Sequence, residues 1–245
     1  MKLFAIGDLH LSADGNKPMD MFGAKWEHHF EKISTDWRMR VTDEDVVLVP
    51  GDISWAMHLN EALPDLEAIG ALPGKKVLLR GNHDYWWASL SRLRDILPEG
   101  MYVLQNDALQ LGDIVLAGSR GWTLPGMGNA EDERIYRREV MRLKLSLEAA
   151  QRFSGTLVAM THFPPVPDSG ERTEVSRLLS EYKTRFCVYG HLHGAAGRNA
   201  FSGELDGTAY ACVACDQIDF KLFQIPVLSG DETTLKPASL RKSGE

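Results

Sequence analysis

The sequence predicts an α/β fold, and three observations carry that reading. Short apolar runs alternate with stretches of helical periodicity, as strands and the helices between them do. Between residues 101 and 118 three apolar runs follow one another across brief polar breaks, so part of the sheet is antiparallel. Chemically capable residues stand just past the ends of the runs, where open α/β sheets carry their sites.

Leu3 to Ile6 form the first strand, which ends at Gly7-Asp8-Leu9-His10. Residues 12–23 are rich in Gly, Pro, Asn and Asp and read as a loop. From Lys25 to Arg40, Trp26, Phe30, Ile33 and Trp37 fall at helical spacing and predict a core-facing stripe. Val46 to Val49 is a second strand, ending at Pro50-Gly51-Asp52. Ile53 to His58 lead into a helix that runs to Ala71 and breaks at Pro73-Gly74. A strand from Lys75 to Arg80 ends at Gly81-Asn82-His83-Asp84, and a helix from Trp87 to Leu97 stops before Pro98. Met101–Leu104, Ala108–Leu111 and Ile114–Ala117 read as strands joined by tight turns. In the long helix from Glu131 to Phe153, Tyr136, Val140, Leu143, Leu147 and Ala150 mark the buried face, and its alternating acids and bases read as a solvated one. Thr156–Met160 and Phe186–Tyr189 are strands, with a helix near Glu174–Tyr182 between them. The apolar runs at 208–214 and 219–225 close the sheet. Residues 1–235 read as a single domain and 236–245 as a polar tail.

Composition bounds the function. At 245 residues one sizeable core is the default. A net charge of −7 argues against a nucleic-acid partner. Cys187, Cys212 and Cys215 make an odd set that does not suggest a disulfide framework. The expectation is a cytoplasmic protein, with no charged-then-apolar leader and no run long enough to span a bilayer.

Five strand exits carry, in order, Asp8 and His10; Asp52; Asn82, His83 and Asp84; His162; His191 and His193. These exits hold five of the eight histidines. Each piece alone has an ordinary reading: a turn, a satisfied histidine, or Asp84 as a helix N-cap. If the five strands run parallel, the exits share one edge of a sheet and the groups can converge. Carboxylates, imidazoles and one amide, with no thiolate, suit manganese, iron, zinc, cobalt or nickel. Seven ligands exceed the needs of one ion and fit two that share a bridge, an arrangement able to clamp a phosphoryl group.

The residues resemble the calcineurin-like metallophosphoesterase superfamily. Its motifs Asp-x-His, Gly-Asp, Gly-Asn-His-Asp/Glu, a lone His and Gly-His-x-His occur here in that order, from Asp8 to His193. Arg80-Gly81-Asn82-His83 is also similar to the serine/threonine protein phosphatases, while the size and Ser54-Trp55 look more like small bacterial phosphohydrolases of unassigned substrate. The resemblance implies a four-layer αββα sandwich, two mixed sheets face to face with helices outside. It implies that Asp8, His10 and His193 bind one of two divalent or mixed-valence ions, that Asn82, His162 and His191 bind the other, and that Asp52 bridges them. It implies attack by a metal-bridging hydroxide on a phosphomonoester or phosphodiester. His83 would contact the phosphoryl oxygen and protonate the leaving alkoxide, oriented by Asp84.

Substrate contacts are expected from Arg120, in a loop after a strand, and from Trp55 and His58, just after Asp52. For Arg120 a surface ion pair is the ordinary alternative, for Trp55 helix packing, and for His58 plain exposure. Cys212-x-x-Cys215 reads as two cysteines of a strand rather than a metal pair. A cyclic-nucleotide phosphodiesterase carries the same motifs and stands as the alternative within the class. A non-catalytic binding scaffold on the same fold is the alternative outside it. Such a scaffold should lack a ligand or the motif histidine, and every position is filled here.

Overall fold

The structure, a computed structural model, describes residues 1–13, 15 and 17–226; the expected tail at 236–245 lies outside the described residues. Eleven strands are formed among them: β1 (Leu3–Ala5), β2 (Val46–Pro50), β3 (Lys75–Leu79), β4 (Met101–Leu104), β5 (Ala108–Leu111), β6 (Ile114–Ser119), β7 (Thr156–Thr161), β8 (Phe186–Tyr189), β9 (Gly203–Leu205), β10 (Thr208–Cys212) and β11 (Phe223–Gln224). The helices are α1 (His29–Arg40), α2 (Leu59–Gly70), α3 (Leu90–Ile96), α4 (Ala130–Ala150), α5 (Glu174–Glu181) and α6 (Gly194–Gly197). The strands make two mixed sheets, ordered β11-β1-β2-β3-β4 and β5-β6-β7-β8-β10-β9. β1 to β4 pair in parallel, as do β6, β7, β8 and β10. Antiparallel pairs occur at β11, β5 and β9.

The side-chain alternation of the strands builds the layers. Leu3, Ala5, Leu48 and Val77 of the first sheet meet Leu116, Val158, Met160 and Val188 of the second in one apolar core. The opposite face of the first sheet, with Phe4, Val47, Val49 and Leu78, packs on Ile33, Trp37, Leu66 and Leu93 of α1 to α3. The opposite face of the second sheet packs on Tyr136, Val140, Leu143 and Leu147 of α4 and on Val175 and Leu179 of α5. This is the expected four-layer αββα sandwich.

Several local expectations are corrected. The helix expected from Lys25 begins at His29, because His28 takes a left-handed φ of 53° and cannot continue a helix. Ala24–Trp26 form a separate 3₁₀ turn that still buries Trp26. The tight turn after β4 does not close a hairpin: β4 pairs with β3 in one sheet and β5 with β6 in the other, so residues 105–107 carry the chain between sheets. The run at 219–225 yields a strand only at Phe223–Gln224, since Asp219 and Phe220 have φ of 53° and 56°. The charges of α4 are not all solvated: Glu139 is buried and meets Arg120 and Arg142. Among the described residues no helix is long and apolar enough to cross a membrane.

Candidate metal centre

Five parallel strands deliver the candidate residues: β1, β2 and β3 from one sheet and β7 and β8 from the other. Beyond β1 the chain runs alongside the segment after β2, with Asp8 N–H on Gly51 O at 3.0 Å, His10 N–H on Asp52 O at 2.9 Å and Leu11 N–H on Ile53 O at 2.9 Å. The two sheets meet at the same end, where Gly7 bridges Ala214 just past β10. Asp8, His10, Asp52 and His191 have positive φ of 59°, 46°, 51° and 71°. Such conformations are costly for non-glycine residues and gather at functional sites. Glycine beside them is needed for space. A Cβ on Gly81 would lie 2.1 Å from Asp52 Oδ1, and one on Gly190 would lie 2.2 Å from Asp8 Oδ2.

Two groups of side chains result. Asp8, His10 and His193 converge in one, and Asp52, His162 and His191 in the other. His193 Nε2 is 3.2 Å from Asp8 Oδ1 and 3.2 Å from His10 Nε2. Asn82 Oδ1 lies 2.7 Å from His162 Nε2 and 3.0 Å from His191 Nδ1. Asp52, a member of the second group, also faces the first, its Oδ2 3.7 Å from His10 Nε2 and 3.4 Å from His162 Nε2. Its other oxygen accepts the His83 backbone N–H at 2.8 Å.

The donor set fits a cation. His162 Nδ1 donates to Pro50 O at 3.0 Å, so in the neutral ring Nε2 carries a lone pair. That lone pair faces two further acceptors, Asn82 Oδ1 and Asp52 Oδ2. His193 likewise gives Nδ1 to Asp216 at 3.1 Å and turns Nε2 toward Asp8 and His10. Neutral rings would aim acceptors at one another and repel, so the cluster calls for a shared positive charge, either a metal ion or a proton: burial opposes charge on His162, but Asp52 pushes its pKa up. Burial pushes His10 and His191 down to about 3, which keeps both rings neutral and able to coordinate near pH 7. His193 moves the other way: burial opposes its charge, but hydrogen bonds to Asp216 and Asp8 push it up to about 10. A metal there must displace a proton. Burial also opposes the charge on Asp52, yet His162 and His10 hold its carboxyl well below the usual range.

His83 is half-buried beside these groups, its ring centroid 4.6 Å from Trp55 and 5.7 Å from His10. Asp84 does not orient it, contrary to expectation. The Asp84 carboxylate points into the fold and accepts from the backbone N–H groups of Asp52, Ile53, Ser54 and Gly81 and from Trp86 Nε1. It therefore ties the loop after β3 to the loop after β2. Burial, then the charge of Asp52, push its pKa up to about 6 against the pull of those donors.

Trp55 stands at the site: it stacks on His10 with centroids 4.5 Å apart at 19°, and Lys17 Nζ lies 4.9 Å from its ring. His58 is exposed at the N-terminus of α2, where its backbone N–H meets Glu61 Oε2 at 3.1 Å. Arg120 turns toward the buried Glu139, 3.4 Å away, and lies over Trp122. The guanidinium thus forms an ion pair with a buried carboxylate. Cys212 ends β10 and Cys215 lies past it; both are free and buried, and the Cys215 thiol donates to Asp8 O.

Sequence reasoning missed Asp216, which holds His193 from 23 residues away and also accepts Gly194 N–H. A carboxylate closely following an apolar run was its only signal. Trp26, expected purely as core, also walls the site, 5.7 Å from His193. Phe163, beside the lone histidine, lies on the His191 ring at 3.9 Å.

The sequence matches the family described as calcineurin-like phosphoesterase over residues 1–195. No curated protein matches it. Among solved structures, phosphopantetheinyl hydrolase (PptH) from Mycobacterium tuberculosis is similar at 16% identity and a TM-score of 0.55, over 94% of this chain and 98% of that one. A protein of unknown function from Aquifex aeolicus, AQ665, is similar at 15% identity and a TM-score of 0.50, over 91% and 95%. At these identities the two neighbours speak for the fold.

Proposed function

Because this chain belongs to the calcineurin-like phosphoesterase family and is a metal-dependent phosphoesterase, we propose that it hydrolyses a phosphomonoester or phosphodiester at a two-ion centre. The observation that carries this reading is Asp52 Oδ2, placed between His10 Nε2 at 3.7 Å and His162 Nε2 at 3.4 Å. A carboxylate of the second three-residue group thus lies within reach of His10 of the first, as a shared ligand would.

Asp8, His10 and His193 would hold one ion, Asn82, His162 and His191 the other, with Asp52 shared. Manganese, iron, zinc, cobalt and nickel all suit these ligands. Ions bound there supply a water nucleophile active at neutral pH and neutralise charge on the phosphoryl group. The chain's own residues do the rest. Pro50 O and Asp216 fix which nitrogens of His162 and His193 face inward. His83 gives a proton to the leaving alkoxide, a step that contributes about 10²–10⁴-fold. Trp55, against both His10 and His83, holds the acid's ring in place. Asp84 acts on the chemistry through backbone, by fixing the loops that carry Asp52 and His83.

The test is hydrolysis of p-nitrophenyl phosphate beside bis-p-nitrophenyl phosphate. Protein stripped of metal is supplied with manganese, zinc, nickel or magnesium. Metal-restored cleavage is expected, and the preferred ester separates phosphatase from phosphodiesterase. Cleavage that is undiminished after stripping, or absent with every ion, would overturn the reading.

A further inference from the structure

A cavity of about 260 Å³ opens beside His191. Phe163 lies against the His191 ring with centroids 3.9 Å apart at 31°, and Trp122 continues the same wall 4.8 Å further on. Leu124, Val166 and Phe201 add further apolar surface, and Thr123 and Asn199 are uncharged polar members of the lining. No lysine or arginine is among the described residues that line it, and its one carboxylate is Asp168. The wall is therefore mostly apolar and suited to desolvating carbon, and among the described residues that line it no lysine or arginine is present to neutralise a second phosphate.

We propose that this cavity receives the apolar body of the alcohol esterified to the substrate phosphate, and so selects aryl-alkyl or similarly apolar esters over polyphosphates and sugar phosphates. The inference rests on the two-ion reading of the neighbouring cluster. His191 belongs both to that cluster and to the cavity lining, so a phosphate at the cluster has its ester substituent within reach of the aromatic wall. The size agrees. An apolar cavity of about 150 Å³ takes up benzene, so this one has room for a ring and a short linker. Met127 at the margin is 67% exposed, and a thioether there can adapt to different apolar groups.

The experiment compares 2-phenylethylphosphonate with ethylphosphonate, which are not hydrolysed, by calorimetry on the manganese-loaded full chain. Hydrolysis of 2-phenylethyl phosphate and ethyl phosphate, whose leaving alcohols are of similar acidity, is measured in parallel. The phenyl compound is expected to bind at least about tenfold more tightly, since the ring leaves water. Ala196→Trp, which fills the cavity from an exposed position, and separately Leu124→Asp, which places a charge in it, should each bring the ratio of affinities toward one. Melting curves and metal content identify a variant that has failed to fold, and the other variant then decides. Equal affinity for the two phosphonates, or a preference unchanged in both variants, overturns the inference and leaves the phosphoesterase reading standing if p-nitrophenyl esters are cleaved. Failure to cleave any ester with any ion overturns both.

Discussion

Replacing the Asp52 carboxylate by the isosteric amide removes a negative charge from between His10 and His162. Outer-shell partners of a metal ligand cost about 10–100-fold when lost, and a shared ligand should cost more. Asp52→Asn is therefore expected to drop bound metal below two ions per chain and activity by more than about a hundredfold, read by elemental analysis beside rate. His83 makes the opposite prediction. His83→Ala should keep both ions and lose about 10²–10⁴-fold on an alkyl ester, and far less on a p-nitrophenyl ester, whose leaving group needs no proton. Equal losses on the two esters would remove His83 from the acid's role. Asp216→Ala should weaken metal binding by about 10–100-fold, because His193 loses the partner that fixes its ring; competition with a chelator measures it. The clustered side chains were legible in the sequence because carboxylates and imidazoles at successive strand exits leave few other readings. Asp84 was legible as a site residue but not in its contacts. Adjacency to His83 does not set direction, and the carboxylate follows the five donors that need an acceptor. Asp216 has no motif spacing to His193, so only the folded chain brings them together.

At the scale of the elements, the site depends on turns that hold strands in register. Asp45, just before β2, accepts Lys2 N–H at 2.5 Å and both the N–H and hydroxyl of Thr42 at 2.9 Å. It thereby fastens the start of β1 to the start of β2, the two strands whose far ends deliver Asp8, His10 and Asp52. Burial opposes its charge, but the Thr42 and Lys2 hydrogen bonds hold its carboxyl below the ordinary value. A depressed carboxyl stabilises the fold at pH above the unfolded value, and the contribution is lost as pH falls through the folded one. Asp45→Ala is expected to destabilise by about 1–3 kcal/mol at neutral pH. The gap from the parent should narrow once the medium is acid enough to protonate Asp45, as denaturant melts across pH would record. A constant gap from neutral to acid pH would contradict this. Helix and strand identities were legible from periodicity, as in α4, whose five expected buried positions are all buried. Boundaries were less so, since the left-handed residues that end or delay elements, such as His28 and Asp219, carry no apolar signal.

The described residues place two mixed sheets face to face so that the ends of their parallel strands open on one side. The α/β class followed from the alternation of runs and helical stretches. The division into two sheets did not, because the residues after β4 look like any tight turn whether they close a hairpin or cross between layers; the family motifs implied the sandwich. The site lies where the sheets meet, at Gly7 and Ala214, so neither half alone contains it. Asp8, His10, Asp52 and Asn82 come from one half and His162, His191 and His193 from the other. That division makes the proposed two-ion centre a property of the assembled sandwich. The most direct measurement is a titration of the metal-stripped chain with manganese, following cleavage of whichever p-nitrophenyl ester it prefers. Activity that rises to a plateau at two ions per chain is the predicted result. A plateau at one ion, or activity that ignores the added metal, would contradict it.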